Sequence, residues 1–342
     1  MSGPTVSVVI PAYNRERFID SAVRSVINQT FADWELIVVD DGSTDATAPI
    51  VQSNADPRIR IIALRSNSGI ATARNAGLEE ARGQFIAWLD SDDVAKPDRL
   101  ARQVAYLSGH PDVALVGGCA HKIADDGRRL PGTRVPPFEH DDIRCRQLLT
   151  SAFQQSAIMG RANVLKNYRY DPSFEVCEDI DVCVRIAVDH RLANMPAVLV
   201  ERRMHATQVS RRQKDKVLVA QARITMPQFD RMGFSAGNDE LFQLTALART
   251  PDFKPQEADL RWAESILADL LAANMASEWL PQRALRMFAG ILMFDRYRRY
   301  SSGRAVSRLI SSPFAGDLVQ LRTARWLAGV VRATAFGSHA RR

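Results

Sequence analysis

The chain has 342 residues, 46% of them hydrophobic and 25% charged, so we expect a soluble globular protein with one large domain and a smaller appendage. No window contains the roughly 18 apolar residues that a membrane-spanning helix needs, and the longest run near the end, residues 287–294, has only eight. The net charge of +6 is uneven, because residues 281–342 contain twelve arginines and two aspartates, and this basic end predicts an anionic partner.

Strands and helices are predicted to alternate over the first third of the chain. Apolar, β-branched runs predict strands at residues 6–10, 34–39, 59–64, 85–89 and 113–116. Helical spacing and alanine-rich composition predict helices at residues 16–29, 45–53 and 70–82. Ser43 or Thr44 is expected to cap the second helix, and Gly83 to stop the third. The alternation predicts an α/β fold in which helices flank a mostly parallel sheet.

Acidic residues follow two of the predicted strands. Asp40 and Asp41 end the second strand, and the string Leu89-Asp90-Ser91-Asp92-Asp93 follows the fourth. Because ligands of parallel sheets bind beyond the carboxyl ends of the strands, we expect these residues to share a pocket with residues 11–14, a turn without the glycines of dinucleotide-binding dehydrogenases. Three carboxylates this close stay ionised together only beside a positive charge, such as a divalent cation that carries phosphate oxygens. By itself, the acidic turn is explained equally well as the cap of the next helix.

A second acidic cluster opens a helix later in the chain. It consists of Glu178, Asp179 and Asp181, and the apolar residues predicted to face inward are Val182, Ile186 and Val188. Negative charge is favourable at a helix N-terminus, so the cluster also has a purely structural explanation. Upstream, residues 125–127 predict a hairpin turn, residues 131–142 a loop and residues 154–159 an extended segment.

Seven strings of the sequence resemble, in order, the motifs of the family-2 inverting glycosyltransferases of the GT-A fold. They lie at residues 11–14, 29–31, 34–45, 67–69, 73–77, 89–93 and 97–100, and the resemblance covers roughly residues 5–210. It implies a Rossmann-like GT-A domain over residues 1–215, with a nucleotide-binding half at 1–110 and an acceptor half at 111–215. Residues 216–342 are expected to form a helical C-terminal region that is basic from residue 281.

The resemblance implies a site for a nucleotide-sugar donor. Asp41 resembles the residue that accepts a hydrogen bond from the base, Tyr13 the residue that packs on the base, and Asp90 the residue that contacts the ribose. The other nucleotide-binding candidates are Pro11, Asn14, Arg74 and Ser91. Tyr13 is open to a second interpretation as a core or rim tyrosine, Arg74 as the partner of a carboxylate, and Asp40 as a residue that holds its own turn.

The resemblance also implies a divalent cation, Mn²⁺ or Mg²⁺. Asp92 resembles the residue that binds the cation bridging the diphosphate, and Arg203 and His205 fit an Arg-x-His element whose histidine approaches the cation or the diphosphate. The cation would act as a Lewis acid on the leaving diphosphate. A lone histidine is also explained as a hydrogen-bonded structural residue.

The acidic cluster resembles the Glu-Asp-x-Asp segment whose second residue is the catalytic base. Inversion needs the acceptor hydroxyl to attack from the face opposite the leaving group, and a carboxylate within hydrogen-bond reach must take its proton. Asp179 is therefore the predicted base, and Glu178 and Asp181 are the alternatives.

The resemblance thus predicts an enzyme that moves one sugar from a nucleoside diphosphate sugar, such as a UDP-sugar, to a saccharide or lipid-linked acceptor during cell-envelope polysaccharide synthesis. Two alternatives stay open. One is a nucleotidyltransferase acting on sugar phosphates, which also uses aspartates at sheet ends and a cation. The other is a non-catalytic assembly partner that acts through its basic helices.

The C-terminal region carries a membrane hypothesis. Helices are predicted at residues 260–271 and 283–294, with a break at 279–281, and at residues 318–331. In the last of these, Trp326 lies on an apolar arc beside an arc of arginines, which suits either an anionic membrane surface or a helix folded back on the catalytic domain. No recognition motif points to nucleic acid.

Cysteine usage and the N-terminal residues bear on location. Cys119, Cys145, Cys177 and Cys183 have no paired short spacing, so free thiols in a reducing compartment are expected. The start shows no basic stretch followed by an apolar one, so no secretory signal is predicted. These features predict a cytoplasmic protein, peripheral on the inner face of the cell membrane if the basic helices bind lipid.

Overall fold

The computed structural model describes residues 3–205, 208, 213–250 and 255–300, apart from the side chains of residues 298–300. The described residues divide into two compact units. The first contains residues up to 138 and from 153 to 208, and the second contains residues 139–152 and those from 213 onward.

The elements in chain order begin with β1 (Val6–Ala12), α1 (Ile19–Ile27), β2 (Trp34–Asp40), α2 (Thr47–Gln52), β3 (Ile59–Ala63), α3 (Ile70–Glu80), β4 (Phe85–Trp88), β5 (Val94–Ala95), α4 (Arg99–Gly109), β6 (Val113–Ile123) and β7 (Arg129–Arg134). They continue with α5 (His140–Gln147), a 3₁₀ turn (Gln155–Ala157), β8 (Met159–Arg161), α6 (Ala162–Tyr168), α7 (Glu178–Asp189) and β9 (Arg191–Arg203). The last described elements are α8 (Lys214–Arg231), α9 (Asn238–Arg249), α10 (Glu257–Ser277) and α11 (Gln282–Tyr300).

The first unit is built on one mixed, mostly parallel sheet. The strand order is β3-β2-β1-β4-β8-β6-β9-β5, and β7 pairs with β6. The pairs β3–β2, β2–β1 and β1–β4 are parallel, whereas β8 is antiparallel to both β4 and β6. Strand β6 therefore runs in the same direction as β4, and β9 is parallel to β6. Six strands thus end at the same edge of the sheet, and the predicted α/β sheet with flanking helices is confirmed.

Burial explains why the central strands read as continuous apolar runs. Every residue of β1, β2 and β4 is buried, because helices cover both faces of this part of the sheet. Helix α3 lies unusually close to β1 at Gly77, where an added Cβ would be 2.4 Å from Cγ1 of Val9. A glycine inside a helix is normally unfavourable, and here it permits the close approach.

Three local predictions are wrong. Residues 131–142 are a loop only from 135 to 139, because β7 covers residues 129–134 and α5 begins at residue 140. Pro131 is tolerated because β7 pairs only with β6 and is an edge strand. Val188 is 40% exposed rather than inward-facing, since it lies about 200° around α7 from the buried Ile186. Gly83 does not stop α3, which ends at Glu80; an added Cβ at Gly83 would be 2.5 Å from the amide N of Ser7.

The predicted cap of the second helix is also wrong. Helix α2 begins at Thr47, and neither Ser43 nor Thr44 caps it. Instead, the amide and hydroxyl of Thr47 donate to Oδ1 of Asp45, which satisfies the first turn.

The second unit is a helical cluster. Helices α8 to α11 and α5 share an apolar core that includes Leu148, Leu244, Leu267 and Leu285. The predictions at 260–271 and 283–294 lie within α10 and α11, which are longer than expected. The predicted helix at 318–331 lies outside the described residues. Across the part of the chain that is described, no helix is both long and apolar enough to span a bilayer. All four cysteines are free and buried, as predicted.

Candidate active site

Two loops at the carboxyl edge of the sheet interlock. The amide of Asn14, in the loop after β1, donates to Oγ of Ser43 in the loop after β2 (3.0 Å), and the amide of Thr44 donates back to Oδ1 of Asn14 (2.9 Å). Asn14 has a left-handed φ of 52°, which asparagine tolerates better than most residues. Pro11 is buried in β1, and Tyr13 is 39% exposed beside these loops. An aromatic ring is therefore available at the rim of the edge.

The two aspartates at the end of β2 have different partners. Both oxygens of the buried Asp41 accept backbone amides, from Ser68 at 2.8 Å and from Gly69 at 3.0 Å. Burial nevertheless raises the pKa of Asp41 above its ordinary value. Asp40 accepts a hydrogen bond from the amide of Ser43 at 3.1 Å, so it holds its own turn, as one interpretation of the sequence suggested.

The acidic loop after β4 is anchored from several directions. Oδ1 of Asp90 contacts Nη2 of Arg74 (3.1 Å), and its Oδ2 lies 2.9 Å from Oγ of Ser156. Asp93 is buried, contacts the same hydroxyl and accepts the amide of Arg203 at 2.8 Å. Burial, with the neighbouring Asp92 and Asp90, raises the pKa of Asp93 well above its ordinary value. Ser91 is also buried, so the loop has little freedom to move.

Asp92 meets His205, which is distant in the sequence. The imidazole Nε2 and the carboxylate Oδ2 are 2.7 Å apart, and the ring of Phe18 packs on His205 with centroids 5.0 Å apart. Arg203 is buried, and its guanidinium donates to the carbonyl oxygens of Asp92 (2.9 Å) and Asp125 (2.7 Å). Arg203 thus joins the end of β9 to the acidic loop.

The side chains of Asp92 and His205 fit a divalent cation whose other ligands include phosphate oxygens. Asp92 and His205 offer a carboxylate oxygen and an imidazole nitrogen at one point. Within the described residues, no group of three or more His, Cys, Asp or Glu side chains is placed to hold a metal ion. Ions such as Mg²⁺ are usually held by one or two carboxylates, with substrate phosphates completing the coordination.

The second acidic cluster lies at the N-terminus of α7. Cys177, before the helix, has a left-handed φ of 65°, and its carbonyl oxygen accepts the amides of Ile180 and Asp181. This conformation is strained for a non-glycine residue, and such strain often occurs at functional sites. Asp179 is half-buried, and its Oδ1 accepts the amide of Ile180 at 3.0 Å. Asp181 is paired with Arg185, whose Nε lies 2.9 Å from its Oδ2.

Arg74 joins the two acidic clusters. It is 3% exposed, and its guanidinium reaches Asp90 through Nη2 (3.1 Å) and Glu178 through Nε (3.2 Å). Burial would lower the pKa of Arg74, but Asp90 and Glu178 outweigh burial and raise it. Burial and the neighbouring Asp179 raise the pKa of Glu178 to about 7. Nη1 of Arg74 is buried and has no hydrogen-bond partner among the described residues.

The sequence analysis missed three residues of this site. Ser156 holds Asp90 and Asp93, and Asn75 binds the backbone of Tyr170. Arg99 is fully buried below the loop and donates to the carbonyl oxygens of Trp88 and Ile158. Asn75 lies in a string that carries the resemblance, which is a usable signal. Ser156 gives none, and it lies in the 3₁₀ turn at residues 155–157, where the prediction of an extended segment is wrong.

The mixed, mostly parallel sheet with acidic residues gathered at its carboxyl edge is that of the GT-A fold. The family model described as glycosyl transferase family 2 matches residues 7–169. An uncharacterized glycosyltransferase of Haemophilus influenzae is 32% identical over 60% of this chain and 68% of its own length. The chain therefore belongs to glycosyltransferase family 2, and the predicted family and enzyme class are confirmed.

Two further proteins are similar over different extents. The Escherichia coli UDP-Glc:alpha-D-GlcNAc-diphosphoundecaprenol beta-1,3-glucosyltransferase WfgD is 42% identical over 30% of this chain and 40% of its own length. The crystal structure of S. aureus TarS 1-349 in complex with UDP-GlcNAc has a TM-score of 0.54 and 20% identity, covering 86% of this chain and 88% of TarS 1-349. At that identity the likeness to TarS shows the fold alone. The chain spans less than half the length of WfgD.

Proposed function

We propose that this protein transfers a sugar from a UDP-sugar to a saccharide or lipid-linked acceptor, with inversion, in cell-envelope polysaccharide synthesis. The observation that carries the proposal is the position of the Arg74 guanidinium. It contacts both Asp90, in the acidic loop after β4 (the donor loop), and Glu178, the neighbour of the proposed base. WfgD acts on UDP-Glc and a diphosphoundecaprenol-linked acceptor, which supports the donor and acceptor classes.

The donor occupies the carboxyl edge of the first unit in this proposal. Asp41 accepts a hydrogen bond from the base, Tyr13 packs on the base, and Asp90 contacts the ribose. The walls of the nucleotide site are Pro11, Asn14, Ser91 and Arg74. The buried, amide-bound Asp41 suits recognition of a base N–H, because a fixed acceptor discriminates between bases at little entropic cost.

Asp92 and His205 hold a divalent cation, Mn²⁺ or Mg²⁺, together with the diphosphate. When bound, such an ion supplies Lewis-acid neutralisation of the leaving diphosphate. The loop that carries Asp92 is already anchored by Ser156, Arg203 and Arg74, so little reorganisation is needed when the donor arrives.

Asp179 takes the proton of the acceptor hydroxyl. The adjacent Glu178 is buried against Arg74, and Asp181 is paired with Arg185, so ion pairs already hold both alternative carboxylates in place. Asp179 is half-buried and follows Glu178 directly in the chain. Because Arg74 joins Glu178 to Asp90, the base stays near the donor loop.

Incubation of the full chain with a panel of sugar nucleotides, with and without Mn²⁺, tests the proposal. We expect release of UDP and a glycosylated acceptor. Release of pyrophosphate when the full chain is given UTP and a sugar 1-phosphate instead would show nucleotidyl transfer. Donor binding without turnover across a broad acceptor panel would show a non-catalytic partner.

The proposal places the protein on the anionic inner face of the cell membrane. Residues 281–342 carry twelve arginines and two aspartates, and each arginine near an anionic surface adds about 1 kcal/mol of attraction. Co-sedimentation with anionic and zwitterionic vesicles at two salt concentrations tests the location. We expect salt-sensitive binding to anionic vesicles that falls when residues 316–342 are removed, and unchanged binding would contradict the proposal.

A further inference from the structure

Asn75 holds the backbone of Tyr170 through both polar atoms of its amide. Its Nδ2 donates to the carbonyl oxygen of Tyr170 at 2.8 Å, and the amide of Tyr170 donates to its Oδ1 at 2.9 Å. Asn75 is 8% exposed, so water competes little for either bond. The two bonds imitate the reciprocal pair between antiparallel strands, and they fix the position and orientation of Tyr170 against α3.

The preceding residue of α3 holds the other end of the same segment. Nε of Arg74 contacts Glu178. Residues 170 and 178 are therefore held by two adjacent residues of α3, whose Cα atoms are about 3.8 Å apart. The chain between them, residues 171–177, leaves α3 and returns to it, and it ends at the left-handed Cys177. The proposed base, Asp179, follows directly.

Tyr170 also contacts β4, the strand that precedes the acidic loop. Its ring packs edge-on against Trp88, the last residue of β4, with centroids 5.3 Å apart, and its hydroxyl accepts Nε2 of Gln155 at 3.3 Å. Trp88 precedes the loop that carries Asp90. A shift of Tyr170 would therefore change the place of residues 171–179 relative to the donor loop.

We propose that Asn75 is a positioning residue for sugar transfer. By fixing Tyr170, it sets where the 171–177 segment returns to α3, and thus how far Asp179 stands from the acceptor hydroxyl. This inference rests on the proposed function, in which Asp179 is the base. Asn75 need not touch either substrate, so its loss should slow transfer without weakening donor binding.

The second unit offers a matched control. Asn274 is fully buried and makes the same pair of bonds to a backbone, with Nδ2 donating to the carbonyl oxygen of Leu280 at 2.8 Å and the amide of Leu280 donating to Oδ1 at 2.9 Å. Replacing Asn274 removes this pair, together with a bond from Nδ2 to Oε1 of Gln282 at 2.6 Å, without altering α3 or the segment 171–177. Comparing variants at the two asparagines therefore separates the effect of lost stability from the effect of a displaced segment 171–177.

The experiment compares Asn75→Ala, Asn75→Asp and Asn274→Ala in the full chain. Steady-state kinetics give kcat and KM, calorimetry with UDP gives donor affinity, and thermal unfolding gives Tm. We expect Asn75→Ala to lower kcat about 10- to 100-fold while donor affinity stays within about twofold, because a misplacement of about 1 Å can cost 10²-fold in rate. Asn75→Asp should fall between Ala and wild type, since its carboxylate accepts the amide of Tyr170 but cannot donate to the carbonyl.

Asn274→Ala should lower Tm and leave kcat unchanged. The inference is overturned if kcat falls no further in the Asn75 variants than in Asn274→Ala, or if kcat and donor affinity fall together. If Asn75→Ala does not fold, Asn75→Asp decides by the same criteria. Wild type and Asp179→Asn are measured alongside. An inactive wild type contradicts the proposed function, an active Asp179→Asn contradicts the assignment of Asp179 as the base, and failure of the Asn75 variants alone contradicts only this inference.

Discussion

His205 lies 2.7 Å from Asp92, measured from Nε2 to Oδ2, although 113 residues separate the two in the chain. The contact forms because β9 ends at the same edge of the sheet as β4, and Arg203 at the end of β9 bonds to the carbonyl oxygen of Asp92. Strand direction therefore brings together a carboxylate and an imidazole, two groups of the kinds that can bind a metal ion.

Asp92→Ala should abolish the part of donor affinity that depends on Mn²⁺, because the carboxylate is the charged protein ligand of the proposed cation. His205→Ala should weaken that part less, since imidazole binds as a neutral group. Calorimetry with UDP in MnCl₂ and in EDTA measures both effects. Asp98→Ala, which removes an exposed partner of Arg102, is the control and should bind as wild type. Undiminished affinity of Asp92→Ala in MnCl₂ would remove Asp92 from the cation site.

Asp179→Asn should keep donor affinity and lose transfer by about 10²-fold or more, since an amide cannot accept the proton of the acceptor hydroxyl. Transfer rates under saturating donor, together with calorimetry, separate chemistry from binding. Asp189→Asn, at the far end of α7 where Asp189 accepts the hydroxyl of Tyr168, is the control. Wild-type rates in Asp179→Asn would move the role to Glu178 or Asp181.

The sequence predicts which acidic residues lie at the carboxyl edge of the sheet, because that position depends mainly on strand direction. A run of β-branched residues identifies a buried parallel strand, and parallel strands deliver whatever follows them to one edge. Asp41, Asp90 and the turn after β1 were placed together by that rule alone. The same rule gives no partner for any of them, because hydrogen bonds depend on side chains from distant segments.

Ser156 and Asn75 show where local patterns stop being informative. Ser156 reaches Asp90 across 66 positions, and Asn75 reaches Tyr170 across 95. Neither residue alters the apolar period of its segment, so periodicity identifies neither of them, and only the resemblance at residues 73–77 points to Asn75. The edge strand β7 was missed for a related reason, since Pro131 in a short polar segment is typical of a loop unless the pairing with β6 is known.

Glu178 should make stability depend on pH. Burial and Asp179 raise its pKa from 4.5 to about 7, so between these values the folded protein binds a proton that the unfolded chain releases. The stability due to this group is complete below pH 4.5 and is lost as the pH rises through 7. Glu178→Gln does not titrate, so the free energy of unfolding of wild type, relative to this variant, should fall from about pH 5 to about pH 8. Urea denaturation across that range measures it, and carboxylates that do not interact with Glu178 cancel in the difference. Parallel curves would mean that Glu178 stays ionised on Arg74.

Gly77→Ala should destabilise the first unit although alanine favours helices. The new Cβ would lie 2.4 Å from Cγ1 of Val9 and 3.4 Å from Cγ2 of Val39, so α3 or the valines must shift, at a cost of about 1–3 kcal/mol. Gly109, at the end of α4, has no atom within 4 Å of an added Cβ, so Gly109→Ala should change stability by less than about 1 kcal/mol. Denaturant midpoints of both variants test the contrast. Because Arg74 lies one turn before Gly77, the same shift should weaken UDP binding in Gly77→Ala only, and equal binding and stability in the two variants would show that α3 has room to move.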